Sequence, residues 1–126
     1  MSKDFKDLRV WQDAMILVRN VYRLTRTFPK EELFGLVSQM RRSAVSIPSN
    51  IAEGKGRHSQ RELAQFLYRA RGSLLELETQ VLIANDLGYI EHSSSVELGQ
   101  QIKKIACTLN GLINRLHEGT GVVASQ

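Results

Sequence analysis

Apolar residues recur along most of the chain at alternating steps of three and four positions, which is the spacing of one face of an α-helix. Alternation with a period of two, which would indicate strands, is hard to find. Four apolar stretches can be traced, at about residues 8–27, 30–54, 59–87 and 94–118. The pattern therefore predicts an all-α protein with four helices.

The first predicted helix carries one main apolar stripe and a second, displaced row. The main stripe consists of Trp11, Ala14, Val18, Val21, Thr25 and Phe28. The displaced row consists of Val10, Leu17 and Leu24, and the third helix adds Leu67 and Leu75 in a similar way. Such extra rows suit packing between subunits, and a wide core face is the alternative explanation.

The second helix contains a proline inside an unbroken apolar register. Its stripe is Leu33, Val37, Met40, Ala44, Ile47 and Ile51. Pro48 removes one backbone hydrogen bond, so we expect a kinked helix that continues to Gly54. A helix that stops at Ile47 is the alternative. Small residues around the kink, such as Ser46 and Ala52, would let another helix approach closely.

Turn and capping signals separate the helices. The segment from Gly54 to His58 breaks the register, and Ser59 with Glu62 forms a capping box that restarts a helix. Gly88 suits a left-handed helix end, Ser94 with Glu97 forms a second capping box, and Gly119 closes the fourth stripe. The segment 120–126 is small and polar enough to be disordered. Short connections force neighbouring helices to run antiparallel, so we expect one domain over 1–126, an up-down-up-down four-helix bundle with a proline-kinked second helix.

Several classes of protein are disfavoured by what the chain lacks. Cys107 alone cannot form a disulfide framework, and no stretch approaches 18 consecutive apolar residues. The segment from Met1 to Asp7 is charged, without the apolar core of a signal peptide. We therefore expect a cytoplasmic protein with no membrane partner.

The basic charge is concentrated in the middle of the chain. The formal net charge is +4, but residues 19–71 hold eleven bases and four acids, whereas residues 72–126 hold three bases and six acids. Arginine supplies most of these bases, and its planar fork binds phosphate oxygens in pairs. The candidate nucleic-acid contacts are Arg19, Arg23, Arg26, Arg41, Arg42, Lys55, Arg57 and Arg61.

The candidate cations have different alternatives to a binding role. Arg19, Arg23 and Arg26 share one helical face, which could be merely solvated. Arg41 and Arg42 could instead pair with Glu76 or Glu78 of the next helix. The loop that holds Lys55, Arg57 and His58 presents its bases beside a helix start, where free backbone N–H groups favour anions.

Catalytic chemistry is missing from the sequence. Di-iron bundles use Glu-x-x-His pairs, and the chain contains none. Cys107 lies between Ile105 and Leu109, so we expect a small buried apolar residue and not a nucleophile. Tyr68, next to Arg69, could stack on a base. We expect no catalytic residues, no metal, no cofactor and no enzymatic activity.

Three motifs together resemble a known family. They are Gln39-Met-Arg-Arg-Ser-Ala-Val-Ser-Ile-Pro-Ser-Asn-Ile-Ala-Glu-Gly54, Gly56-Arg57 and Gly72-Ser-Leu-Leu-Glu-Leu-Glu-Thr-Gln80, with the opening from Phe5 to Trp11 also in agreement. The chain resembles, over about residues 5–118, the four-helix-bundle proteins associated with bacterial 23S ribosomal RNA intervening sequences. That family is similar to the accessory proteins of diversity-generating retroelements.

The resemblance implies a homopentameric ring of bundles with a basic surface proposed to bind nucleic acid. At +4 per copy, five copies carry a formal charge of +20. The positions that match the family pattern are Arg41, Arg42, Pro48, Asn50, Glu53, Gly54, Gly56, Arg57, Gly72, Glu76 and Glu78. Some of these could serve the fold, with Gly72 allowing close packing and Glu76 and Glu78 pairing with the arginines.

Two functions are compatible with these features of the sequence. The first is a non-enzymatic homo-oligomer that binds RNA or DNA through phosphate contacts of a basic, arginine-rich surface. The alternative is a protein-interaction scaffold that docks a partner enzyme, such as a reverse transcriptase.

Overall fold

A computed structural model of the chain describes residues 4–119, and all regular elements among them are helical. The four long helices are α1 (Arg9–Thr25), α2 (Ser38–Lys55), α3 (Gln60–Asp86) and α4 (His92–Gly119). Short 3-10 turns lie at Phe5–Asp7 and Lys30–Glu32, and a π-helical segment, Leu33–Val37, leads into α2. The predicted disordered segment 120–126 lies outside the described residues.

Each helix packs against two others. α1 contacts α2 and α4, and α3 contacts the same two helices. Because the connections at 56–59 and 87–91 are short, consecutive helices run in opposite directions. The prediction of an all-α, up-down-up-down four-helix bundle is confirmed.

The core face of α1 differs from the predicted stripe. The buried residues of α1 are Val10, Ala14, Leu17, Val21 and Thr25, whereas Trp11 and Val18 are half-buried. Val10 and Leu17, which suited packing between subunits, therefore belong to the protomer's own core, as does Leu67 of α3. The reason is that α1 lies between α2 and α4, and the residues that point midway between those helices become the most buried. Leu75 remains exposed.

α2 continues through its proline. Pro48 is a buried residue inside the α2 helix, and Ile51 resumes the core register one turn later, so the alternative of a helix ending at Ile47 is wrong. The non-helical backbone lies earlier, at Gly35, with φ −110° and ψ −110°. The predicted second helix thus begins with an irregular segment over residues 30–37 before regular α-helix starts at Ser38.

Close packing between α2 and α3 depends on small residues of α2. The Ser46 and Ser73 hydroxyls are 2.8 Å apart, and Asn50 Nδ2 donates to the Ser46 carbonyl over 2.8 Å. At Gly54 an added Cβ would lie 2.9 Å from the Cβ of Phe66. Gly72 does not have this role within the protomer, because it is exposed and nothing lies within 4 Å of an added Cβ.

The N-cap role of Ser59 in the first capping box is confirmed, and the second capping box is wrong. Ser59 Oγ accepts a hydrogen bond from the Glu62 backbone N–H over 3.0 Å. α4 begins at His92, two residues before Ser94, because the Glu91 carbonyl already accepts from Ser95 N–H over 3.1 Å. Gly88 has φ 77° and ends α3 as predicted.

Cys107 is exposed, contrary to the prediction of a buried thiol. Its neighbours Ile105 and Leu109 are buried on α4. Cys107 is two positions from each of them, which places it about 200° around the helix and on the outer side.

Candidate nucleic-acid interface

Three arginines form a row on the outer side of α1. Arg19, Arg23 and Arg26 are exposed and lie four and three residues apart, so they occupy the same side of the helix. The core residues of α1, including Leu17 and Val21, point the opposite way. We call Arg19, Arg23 and Arg26 the arginine face, which extends over about 10 Å of helix axis.

The arginine face has no carboxylate partner within residues 4–119. The ion pairs found there join Lys6 to Asp4, Arg9 to Asp13, Lys104 to Asp13 and Arg57 to Glu53, at N–O distances of 3.7 to 3.8 Å. Asp13, the acid on α1 nearest to the face, is therefore engaged on the side towards α4. The positive charge of the face stays directed at solvent.

Arg41 joins α2 to α1. Its Nε donates to Thr25 Oγ1 over 3.0 Å, its Nη2 donates to the Tyr22 carbonyl over 3.4 Å, and its guanidinium lies 4.5 Å from the centre of the Tyr22 ring. Thr25 is 2% exposed and donates its own hydroxyl to the Val21 carbonyl over 2.8 Å. Arg41 is thus fixed in position while its charge remains beside an exposed aromatic ring.

The ion pairs with Glu76 and Glu78, which were the alternative to a binding role for Arg41 and Arg42, are not formed among the described residues. Arg41 points towards α1 instead. Arg42 is exposed. For Arg41 the reason is that α3 packs on the side of α2 that carries Ser46 and Ser43, whereas Arg41 lies on the opposite side of the helix.

A surface groove adjoins the arginine face at the corner between α1 and α2. We call it the corner groove, and its volume is about 490 Å³. It is lined by Tyr22, Leu33, Phe34, Val37, Ser38, Arg41, Arg42 and Val45. Tyr22 links the arginine face to the corner groove, because it lies three residues after Arg19 and four before Arg26, the C-cap residue of α1.

Phe34 is the functional candidate that the sequence pattern did not reveal. Its side chain is 91% exposed, on the irregular segment before α2. In the sequence it follows Leu33, the first residue of the predicted core stripe, and precedes Gly35. The signal in the sequence was the position of Phe34, an aromatic residue outside the apolar stripe and next to a glycine. This signal predicts an exposed side chain only if the irregular backbone at Gly35 is already known.

Glu32 holds the segment that carries Phe34. Its Oε1 accepts from the Leu36 backbone N–H over 3.3 Å, and its Oε2 accepts from the Tyr89 hydroxyl over 2.8 Å. The hydrogen bond between Tyr89 and Glu32, together with burial and the negative charges of Glu32 and Glu31, raises the pKa of Tyr89 above its usual value. The segment is therefore tied to the connection between α3 and α4.

The remaining predicted cations lie at the other end of the bundle. Lys55, Arg57 and Arg61, which we call the loop cluster, are exposed around the connection between α2 and α3. Lys55 follows Arg41 by 14 helical residues, or about 20 Å along α2. One protomer therefore divides the eight predicted site residues into two groups.

Part of the loop cluster interacts within the protomer. Arg57 Nη2 lies 3.8 Å from Glu53 Oε2, and the guanidinium groups of Arg57 and Arg69 each lie 4.7 Å from the centre of the Phe66 ring. At the anion site expected at the start of α3, Arg57 is therefore partly occupied by contacts with Glu53 and Phe66. The arginine face is the stronger candidate.

Tyr68 also has contacts within the protomer. Its hydroxyl lies 2.6 Å from His117 Nε2, and the Arg71 guanidinium lies 4.8 Å from its ring centre. Tyr68 lines a cavity of about 400 Å³ together with Arg61 and His117. Base stacking on Tyr68 stays a prediction.

Potential metal ligands are scattered within residues 4–119. In this part of the chain no three His, Cys, Asp or Glu side chains come close enough together to hold a metal ion. Nor does any of the helices described here combine the length and the apolar character needed to cross a membrane.

The fold and this surface define a class of protein, the helical bundles with an arginine-rich outer side. Residues 6–111 match the family model of the 23S rRNA-intervening sequence protein, and the chain belongs to that family. The family is not known as a family of enzymes. A comparison with curated proteins found no match.

Proposed function

We propose that this protein binds nucleic acid through phosphate contacts of the arginine face. The observation that carries the proposal is a row of three exposed arginines that no carboxylate among residues 4–119 neutralises. The row covers about 10 Å, which corresponds to the axial rise of about three base pairs at 3.4 Å each. Arg41 and Arg42 extend the same positive surface onto α2.

The corner groove adds aromatic side chains to this positive surface. Phe34 and Tyr22 are both exposed there, and unpaired bases stack on such rings without requiring a particular sequence. Phosphate contacts beside stacking surfaces are the arrangement by which proteins bind single-stranded segments of nucleic acid. The proposed ligand is therefore RNA or DNA that contains unpaired bases, bound with little sequence specificity.

Self-association is part of the proposal. Copies that place their arginine faces side by side would multiply the positive field and strengthen phosphate binding. The five copies implied by the family resemblance stay a prediction, which the mass of the native particle checks. The loop cluster of each copy would add further cations to the assembly.

The test is binding of a fluorescently labelled RNA stem-loop by the full chain at different salt concentrations. Release of counterions predicts a loss of affinity of about tenfold or more between about 50 and 200 mM salt if several phosphates are bound. Arg19→Ala/Arg23→Ala/Arg26→Ala should weaken binding and flatten the salt dependence. The control Lys6→Ala/Lys103→Ala/Arg115→Ala removes the same charge elsewhere and should have a smaller effect. Absent or salt-insensitive binding rejects the proposal.

The second candidate is a scaffold that docks a partner enzyme, such as a reverse transcriptase. The exposed apolar side chains of Phe34 and Leu33 at one corner of the bundle favour it, because soluble proteins rarely expose such neighbouring groups without a use. A protein that co-purifies without nucleic acid, and that Phe34→Ala releases, would support the scaffold.

A further inference from the structure

The outer side of α3 carries a stripe of exposed side chains, of which Tyr68 also contacts α4 through its hydroxyl, 2.6 Å from His117 Nε2. Tyr68, Leu75 and Leu82 are 39%, 61% and 55% exposed and lie seven residues apart. Gln65, Gly72 and Thr79 are exposed between them, so the six residues follow each other at alternating steps of three and four. We call these six residues the α3 stripe. This heptad spacing is the one that two helices use when they pack along their length.

Gly72 lies at the centre of the α3 stripe. A glycine in the middle of a 27-residue helix weakens the helix, and nothing in the described part of the protomer requires it, because no atom lies within 4 Å of an added Cβ. A missing side chain at the centre of an exposed stripe gives room for the close approach of another helix. Gly72 thus indicates contact with a helix of another molecule.

Charges along α3 change sign at the same place. Residues 60–72 hold three bases and one acid, whereas residues 73–86 hold three acids and no base. Arg69 and Glu76 flank the α3 stripe on one side, and Arg71 and Glu78 flank it on the other. None of these four forms an ion pair within residues 4–119, although Arg71 donates to Asn110 Oδ1 over 2.9 Å.

We propose that the α3 stripe binds the same stripe of a second copy of this chain, with the two α3 helices antiparallel. A two-fold axis between residues 73 and 74 places Leu75 of each copy over Gly72 of the other. The same axis sets Tyr68 opposite Thr79 and Gln65 opposite Leu82. Every layer of the stripe then has a partner, as a self-complementary two-fold contact requires.

Charge complementarity supports this register and direction. In an antiparallel pair, Arg69 comes beside Glu76 of the second copy, and Arg71 comes beside Glu78. Symmetry repeats both pairs, which gives four ion pairs between the copies. A parallel pair would bring the basic halves together and the acidic halves together, so repulsion disfavours it. The occupant that these charges fit is therefore the chain itself.

This inference deepens the self-association proposed above and does not depend on nucleic-acid binding. A two-fold contact is closed, so by itself it makes a dimer. If a separate surface builds five-membered rings, the α3 contact joins two rings.

The test is the mass of the full chain over a concentration series, measured by sedimentation without nucleic acid. Glu76→Arg/Glu78→Arg makes all four flanking charges positive, and Arg69→Glu/Arg71→Glu makes them negative. Each variant alone should raise the dissociation constant of the contact by about tenfold or more, because like charges then face each other. Mixed together, the two variants should associate one to one, since every charge then meets its opposite.

The control is Glu97→Arg/Glu118→Arg, which changes the net charge equally on exposed residues of α4 and should associate like the unchanged chain. Leu75→Glu is a second variant that should weaken association without affecting the core, because Leu75 is largely exposed. The inference is overturned if the unchanged chain stays a single copy, if the variants keep its assembly, or if the mixture does not recombine. An assembly that the α3 variants leave intact would keep self-association and reject this surface.

Discussion

Gly54 of α2 faces Phe66 of α3 so closely that a Cβ on the glycine would lie 2.9 Å from the Cβ of Phe66. The same added Cβ on Gly54 would lie 3.0 Å from the side chain of Leu63. Phe66 is buried, so neither helix can move there without disturbing the core. The end of α2 and the start of α3 are therefore joined at a point where only a glycine fits without displacement.

We expect Gly54→Ala to lower the free energy of unfolding by about 1–3 kcal/mol, because the extra methyl group overpacks this contact. Gly72→Ala is the matched control, since it makes the same change in a helix where nothing lies within 4 Å. It should raise the free energy of unfolding by about 0.5–1 kcal/mol through helix propensity alone. Urea unfolding of dilute protein measures both. Equal effects of the two substitutions would contradict the close approach at Gly54.

Thr25 and Arg41 should show energetic coupling, because the Arg41 Nε donates to a buried hydroxyl over 3.0 Å. Thr25→Val keeps the branched shape and removes the acceptor. In a double-mutant cycle with Arg41→Met we expect a coupling free energy of about 1 kcal/mol. Arg42→Met is the control and should change the free energy of unfolding by less than about 0.5 kcal/mol, as for an exposed side chain. A cycle with no coupling would show that the hydrogen bond contributes nothing to stability.

The hydrogen bond from Tyr89 to Glu32 predicts a loss of stability in alkali. The raised pKa of Tyr89 means that the folded state keeps this phenol proton at a pH where the unfolded state has lost it. The hydrogen bond therefore contributes fully to the free energy of unfolding below the usual tyrosine pKa near 10. This contribution is lost as the pH rises towards the raised pKa of Tyr89. Tyr89→Phe lacks the group, so its unfolding midpoint in urea should fall less between about pH 8 and pH 11. Parallel decreases in both proteins would refute this assignment.

Phe34→Ala should separate binding from stability. Since the side chain is 91% exposed, we expect its removal to change the free energy of unfolding by less than about 0.5 kcal/mol. Loss of one stacked base predicts weaker binding of single-stranded nucleic acid by about 1–3 kcal/mol, measured by fluorescence anisotropy. Val96→Ala, also at an exposed apolar residue, should leave binding unchanged. If Phe34→Ala binds single strands as the unchanged chain does, the corner groove is not a stacking site.

The helices themselves could be predicted from local patterns. The three-and-four spacing places Met40, Ile47 and Ile51 on one side of α2, and all three are buried in the core. Ser59 before Glu62 and Gly88 after α3 were also predictable, because a helix cap depends on residues within one turn. The arginine face was recognisable for the same reason, since positions 19, 23 and 26 share one side of any regular helix.

What only the tertiary structure decided is how each helix is rotated and what each side chain meets. The sequence offered two apolar rows on the first helix, and the positions of α2 and α4 buried Leu17 more completely than Trp11. It offered Glu76 and Glu78 as partners for Arg41, which instead bonds to Thr25. Periodicity records the direction of a side chain relative to its own helix axis, whereas contacts depend on the placement of a second helix. That placement results from the packing of the whole core.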